Sequence, residues 1–262
     1  MTRATYSHYD GCVKVRNDAR PVPFETLRYD PAAKGALPEA PGFERLDRHL
    51  ARWERSSAWL GLPPQRDAVI AALRDGVAGL TGAHRVRVTL ADSGEIEVTS
   101  TPLPMLRFND TPAAALAAAD ELLAGGGKLP RAALAIQRVD ESDPARAHKT
   151  TERPLYYAGR RYAEAAGLED VLFLDSRGML CEGSIASVFV VSGPRDRPTV
   201  VTPPLRAGAL PGVLREELIE QGRVEERDVG VEQLRSASAV LLGSSVRGLR
   251  RVELDAQTVD VG

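Results

Sequence analysis

A chain of 262 residues is long enough for one large domain or two modest ones. Hydrophobic residues make up 43% and charged residues 27%, and Lys+Arg 34 against Asp+Glu 36 leaves a formal charge of −2, which gives no support to a strongly basic nucleic-acid binder. Only Lys14, Lys34, Lys128 and Lys149 are lysines, so side-chain amine chemistry has four candidates, because arginine stays protonated. Cys12 and Cys181 stand far apart, and no disulfide framework or zinc ribbon is readable. Met1 to Tyr6 lack an apolar signal core, and no run approaches about 18 apolar residues, so a reduced cytoplasmic setting is expected. In that setting the Asn109-Asp110-Thr111 sequon is incidental.

In chain order, a short strand is allowed around Cys12–Val15, and Pro21 and Pro23 close the polar lead-in. Phe24-Glu25-Thr26-Leu27-Arg28-Tyr29 reads as a strand, ended by Asp30-Pro31. Phe43, Leu46, Leu50, Trp53 and Leu60 form one apolar helical stripe, flanked in phase by Arg45, Arg48, Arg52 and Arg55. Gly61 and Pro63-Pro64 stop that helix, and a second follows over about 65–80. Val86, Val88 and Leu90 with Ile96 and Val98 alternate as a hairpin across Ser93-Gly94. An Ala-rich helix and Gly125-Gly126-Gly127 follow, expected as an interdomain connection over 109–130. Strands are expected over 132–139, 171–174, 186–191 and 199–202, near Val224 and over 239–242, with helices over 152–166 and 212–221.

Four segments invite a chemical reading, and three keep it. Gly125-Gly126-Gly127-Lys128 lacks the upstream glycine and following hydroxyl of a phosphate loop, so a flexible linker is the better reading. His148-Lys149-Thr150-Thr151-Glu152-Arg153-Pro154-Leu155-Tyr156 lies between a strand and a helix. A lysine there, flanked by hydroxyls, can be desolvated into an imine-forming amine; a solvated surface lysine is the competing reading. Glu182 sits among apolar strand-formers, where an unpaired carboxylate is costly and wants a cation such as a protonated ring nitrogen; a turn residue facing water competes. Leu210-Pro211-Gly212-Val213-Leu214-Arg215 sets a turn before a helix whose first N–H groups could hold a phosphate, or simply start an ordinary helix.

Together these segments resemble the fold-type IV pyridoxal-phosphate enzymes, the class IV aminotransferase family. Lys149 stands in H-K-T-T-x-R, Glu182 in E-G-S, and L-P-G precedes a helix. Phe24 to Arg28 matches an F-E-T-x-R strand, Asp47 to Arg52 an H-L-x-R helix, and Gly243 to Gly248 is similar to N-S-x-R-G. The order runs from about residue 24 to 254, and within the family the 148–156 segment looks most like the 4-amino-4-deoxychorismate lyases. The resemblance implies a small α+β domain over 1–108 and a larger cofactor domain over 131–262, a pseudo-barrel of strands flanked by helices. It implies pyridoxal 5'-phosphate held by Lys149, with Glu182 on the ring nitrogen and Arg52, the Val213 and Leu214 amides and the Ser245 hydroxyl around the phosphate. Lys149 and Thr26 are then the catalytic candidates and Arg28 and Arg153 the substrate-carboxylate candidates. The implied assembly is a homodimer acting on a small molecule, with no nucleic-acid, membrane or metal partner. Ser187 replaces the family's asparagine, Leu214 its frequent threonine and Ala19 its upstream tyrosine, and the glycine-rich lead-in is absent.

Overall fold

The computed structural model describes residues 20–33, 37–91, 93–104 and 108–262. The strand allowed at Cys12–Val15, Ala19, Lys14 and Lys34 lie outside the described residues. Two compact units emerge: residues 1–107 with 148–154, and residues 108–147 with 155–262. They interleave along the chain, whereas the division expected from sequence is contiguous. The physical cause is backbone pairing: the Phe24 N–H donates to the Lys149 carbonyl at 3.1 Å and the Thr151 N–H to the Val22 carbonyl at 3.0 Å. Pro23 and Thr150 form an antiparallel bridge.

In the first unit β1 (Phe24–Tyr29), β2 (His84–Leu90) and β3 (Ile96–Pro102) form an antiparallel sheet in that order. Period-two alternation sends Glu25, Leu27, Tyr29, Val86 and Val88 to the buried face, against α1 (Leu46–Trp59) and α2 (Arg66–Gly76). Leu46, Leu50 and Trp53 line the helical stripe and pack with Leu27, Phe43, Val69 and Leu73. The opposite sheet face carries Thr26, Arg28, Arg85 and Arg87, since Thr26 pairs Arg87 and Arg28 pairs Arg85 across the strands. The second helix ends at Gly76 rather than near Leu80, because Val77 to Leu80 close in turns.

The second unit is built on an eight-stranded mixed sheet in the order β6-β5-β4-β11-β10-β7-β8-β9. These are β4 (Arg131–Val139), β5 (Asp170–Asp175), β6 (Leu180–Gly183), β7 (Ser187–Ser192), β8 (Thr199–Thr202), β9 (Glu225–Glu226), β10 (Ala239–Ser244) and β11 (Gly248–Val259). Adjacent residues enter different cores: Leu134, Leu172, Val190 and Leu242 face one way, while Ala133, Phe173, Phe189 and Leu241 face the other. Burial on both faces explains why these strands read as unbroken apolar runs. The helices are α3 (Pro112–Ala124), α4 (Pro154–Ala166), α5 (Val213–Glu220) and α6 (Val231–Arg235). Thr111 caps α3 by accepting from the Ala114 N–H at 3.2 Å, and α3 packs on β11 within this unit. Asn109 is buried and exchanges backbone and side-chain hydrogen bonds with Leu249, which closes it to glycosylation in the folded chain. No helix among the described residues is long and apolar enough to cross a membrane.

Candidate active site

In the first unit a single carboxylate organises the buried polar centre. Glu25 is 2% exposed and its strand aims it at α1. Arg52 Nε and Nη2 each donate to it at 2.7 Å, and His49 Nδ1 lies 2.8 Å from Oε2. Residues 49 and 52 are three apart on α1, so both reach the same strand position. Burial alone would raise the Glu25 carboxyl, but Arg52 and then His49 outweigh it and hold the group well below the usual carboxylate range. His49 is pushed down by burial against the pull of Glu25, and its Nε2 is buried with no hydrogen-bond partner among the described residues.

Lys149 lies beside this cluster. Its backbone is pinned by the Phe24 N–H on one side and, through its own N–H, by Ser56 Oγ at 3.1 Å. Its Nζ stands 4.5 Å from the centroid of the Phe24 ring, which also receives the Arg87 guanidinium at 3.8 Å. Burial, and next the charge of Arg52, hold the ammonium well below the ordinary lysine range; Glu25 pulls the other way and Arg153 adds to the depression. Lys149 is thus partly buried, with its amine in the field of these arginines. Next to it, His148 stacks on Trp59 with ring centroids 4.7 Å apart.

In the second unit Glu182 stands on β6, buried at 6% exposure. The Tyr156 hydroxyl, in the first turn of α4, donates to Glu182 Oε1, and Arg146 Nη2 is 3.9 Å from the same oxygen. The next turn is fixed from below by Asp170, which accepts from the Ser184 hydroxyl, the Ser184 N–H at 2.9 Å and the Val171 N–H at 2.8 Å. Burial pushes the Asp170 carboxyl up to about 6, against those hydrogen bonds. The start of α5 has Gly212 as its cap residue and no side-chain cap. A Cβ on Gly212 would stand 2.5 Å from Ser187 Oγ, so the serine that replaces the family's asparagine lies directly against the L-P-G turn. Ser245 is buried in the turn joining β10 and β11.

The remaining sequence candidates fall as follows. Thr26 and Arg28 share the open face of β1, and Arg28 reaches Asp30 at 3.6 Å and Glu44 at 3.8 Å. Arg153 is partly buried beside Lys149. Val213 and Leu214 open α5, where the Leu214 side chain fills the core with Phe189, Leu218 and Leu249; an apolar environment accounts for the absence of threonine there. Arg52, expected at the cofactor phosphate, is 4% exposed and committed to Glu25. Sequence reasoning missed Glu25, His49, Tyr156 and Arg146. Glu25 carried a signal, being a carboxylate at an inward position of an alternating strand. Arg146 carried none, since its role depends on residues 10 and 36 positions later.

A lysine of lowered basicity in one unit and a buried carboxylate in the other are groups that imine chemistry uses. The chain matches the model of the amino-transferase class IV family over residues 24–254, and it belongs to that family. It is 29% identical over 210 residues to a Schizosaccharomyces pombe protein provisionally named an aminodeoxychorismate lyase, covering 77% of this chain and 80% of that one. It is 28% identical over 210 residues to a Thermotoga maritima protein provisionally named a branched-chain-amino-acid aminotransferase, covering 77% and 68%. A Mesorhizobium loti crystal structure, provisionally named an amino-acid aminotransferase, matches with a TM-score of 0.74 and 32% identity, over 90% of this chain and 100% of that one.

Proposed function

We propose that the chain is a pyridoxal 5'-phosphate-dependent lyase that converts 4-amino-4-deoxychorismate to 4-aminobenzoate and pyruvate. The observation that carries the reading is the Lys149 amine, desolvated and surrounded by Arg52, Arg87 and Arg153. The residues present fit the cofactor: an amine of lowered basicity for its aldehyde, a buried carboxylate for its ring nitrogen, and for its phosphate an α5 start without a side-chain cap together with the buried Ser245. Arg52 is the member whose engagement differs from expectation, because its Nε and Nη2 face Glu25. A phosphate would therefore share Arg52 with that carboxylate.

When bound, the cofactor supplies an electrophilic carbon and a ring that accepts electrons. Lys149 Nζ, its basicity lowered by burial and by Arg52, is the group that would hold the cofactor and then take the proton from the aminated ring carbon of the substrate and return one. Loss of that proton and of the enolpyruvyl group makes the ring aromatic, and the departing group becomes pyruvate on protonation. Glu182 is the buried carboxylate that would face the ring nitrogen. Arg28 and Arg153 are the substrate-carboxylate residues, with the Thr26 hydroxyl on the same strand face as Arg28. Folate-precursor synthesis, a cytoplasmic setting and a homodimer complete the reading.

The lyase reading is supported by the 148–156 segment and the S. pombe relative; the T. maritima relative favours a second reading, transamination of branched-chain or D-amino acids. One experiment separates them. Protein reconstituted with pyridoxal 5'-phosphate turns yellow, and borohydride fixes the cofactor on the peptide containing Lys149; failure of uptake, or label elsewhere, overturns both readings. Pyruvate release from aminodeoxychorismate then marks the lyase. Turnover of an amino acid with 2-oxoglutarate, without pyruvate release, marks the transaminase.

A further inference from the structure

Glu182 needs a counter-charge, and the fold already provides one. Arg146 Nη2 donates to the Tyr156 oxygen while the Tyr156 hydroxyl donates to Glu182 Oε1, a chain of hydrogen bonds with a cation at one end and a carboxylate at the other. The guanidinium is itself anchored, since Arg146 Nε donates to the Gly208 carbonyl at 2.9 Å and its carbon lies 5.1 Å from the Tyr156 ring centroid. Gly208 has φ +83, and a Cβ there would stand 2.8 Å from Arg146 Nε, so the seat accepts glycine alone. Tyr156 is locked in turn by an edge-on contact with Phe173 at 5.4 Å. Three contacts of the guanidinium, to the Tyr156 oxygen, the Tyr156 ring and the Gly208 carbonyl, thus hold it 3.9 Å from Glu182.

We propose that Arg146 is a positioning residue which acts through Tyr156 to orient Glu182 and withdraw part of its negative charge. The electron-accepting strength of the bound ring is then set by the Arg146–Tyr156–Glu182 chain rather than by the carboxylate alone. This inference rests on the reading that Glu182 faces the ring nitrogen of pyridoxal 5'-phosphate.

The test is a pH titration of the visible absorbance of the reconstituted whole chain, together with the cofactor dissociation constant from equilibrium dialysis. R146Q removes a cation, so the midpoint rises by about half a unit, while E182Q removes an anion and lowers it. R146K keeps the charge and returns most of the shift, and Y156F, which breaks the chain at its centre, moves the midpoint in the same direction as R146Q. In the R146Q/E182Q double variant the R146Q shift disappears. An unmoved midpoint and dissociation constant in R146Q, with only a lower melting temperature, assigns Arg146 a structural part and overturns the proposal. Shifts that add in the double variant overturn it as well. If E182Q itself leaves the midpoint unmoved, the failure belongs to the underlying reading of Glu182.

Discussion

The two units each bury a carboxylate, and they treat it in opposite ways. In the first, Glu25 is enclosed by Arg52 at 2.7 Å and by His49 at 2.8 Å, so strong pairing overcomes burial and the acid is held ionised. In the second, Asp170 has hydrogen-bond donors but, among the described residues, no cation in hydrogen-bonding contact, so burial wins and its pKa rises to about 6. Hydrogen bonds from neutral donors soften the desolvation of a carboxylate; a bidentate guanidinium reverses it. The contrast matters for function because Arg52, by neutralising Glu25, is also the charge that most lowers the basicity of Lys149 after burial itself.

The comparison can be broken in order of effect. K149A is expected to abolish turnover, a fall of at least about a thousandfold, because no other amine in the cluster replaces its nucleophilic role. Steady-state rates measure this, and near-normal activity would show that the wrong lysine had been chosen. E25Q strands the Arg52 cation and should cost about 3–5 kcal/mol, read from denaturant melts. It also removes a charge that supports the Lys149 ammonium, so any limb of the pH–rate profile due to Lys149 should move to lower pH. A limb that stays in place would separate Glu25 from Lys149.

The third expectation concerns sign. Burial holds the folded Asp170 carboxyl up at about 6, against 3.8 for the free side chain. Below 3.8 both states are protonated and the group contributes nothing to the pH dependence. Between 3.8 and about 6 the unfolded chain ionises first, so stability falls as pH rises, and above about 6 the penalty levels off near 3 kcal/mol. Glu25 behaves oppositely: its folded pKa is depressed, so its stabilisation is complete above 4.5 and is lost as pH falls below that value. Moving from pH 7 to 5 should therefore relieve the Asp170 penalty in the second unit, while in the first Glu25 contributes no change and His49, held down by burial, costs stability as the unfolded imidazole takes up its proton below 6.5. D170N removes that relief, so melts at the two pH values should show D170N gaining less stability, or losing more, than the parent chain between pH 7 and 5. An equal difference would mean that Asp170 ionises normally.

Much of the frame is legible in the sequence where local pattern and burial agree. β1, the hairpin of β2 and β3, α1 and the apolar strands β5, β7 and β10 all read from period and turn residues. β11 did not, although it is central in its sheet and twelve residues long. Its sequence, Gly-Leu-Arg-Arg-Val-Glu-Leu-Asp-Ala-Gln-Thr-Val, alternates poorly and carries charges that a local reading assigns to a loop. Partners distant in sequence make that strand possible. Arg250 meets Glu169 at 2.7 Å and Asp255 meets Arg131 at 3.1 Å. The short elements β6 and α6 lie below the length at which periodicity speaks.

The candidate site divides along the same line. Sequence alone singled out Lys149, because lysine is scarce here and one copy lies in a hydroxyl-rich segment of family pattern. It also singled out Glu182, because an acid among strand-formers demands an explanation. Tertiary structure decided what surrounds them. It placed residues 148–154 on the first unit by pairing them with residues 22–24, and brought Arg52 and Glu25 into the field of Lys149. It also delivered Arg146 and Tyr156 to Glu182. The reason is physical: residue type states which chemistry a side chain can perform, but the pKa and orientation that permit it depend on burial and on charges that only folding brings near.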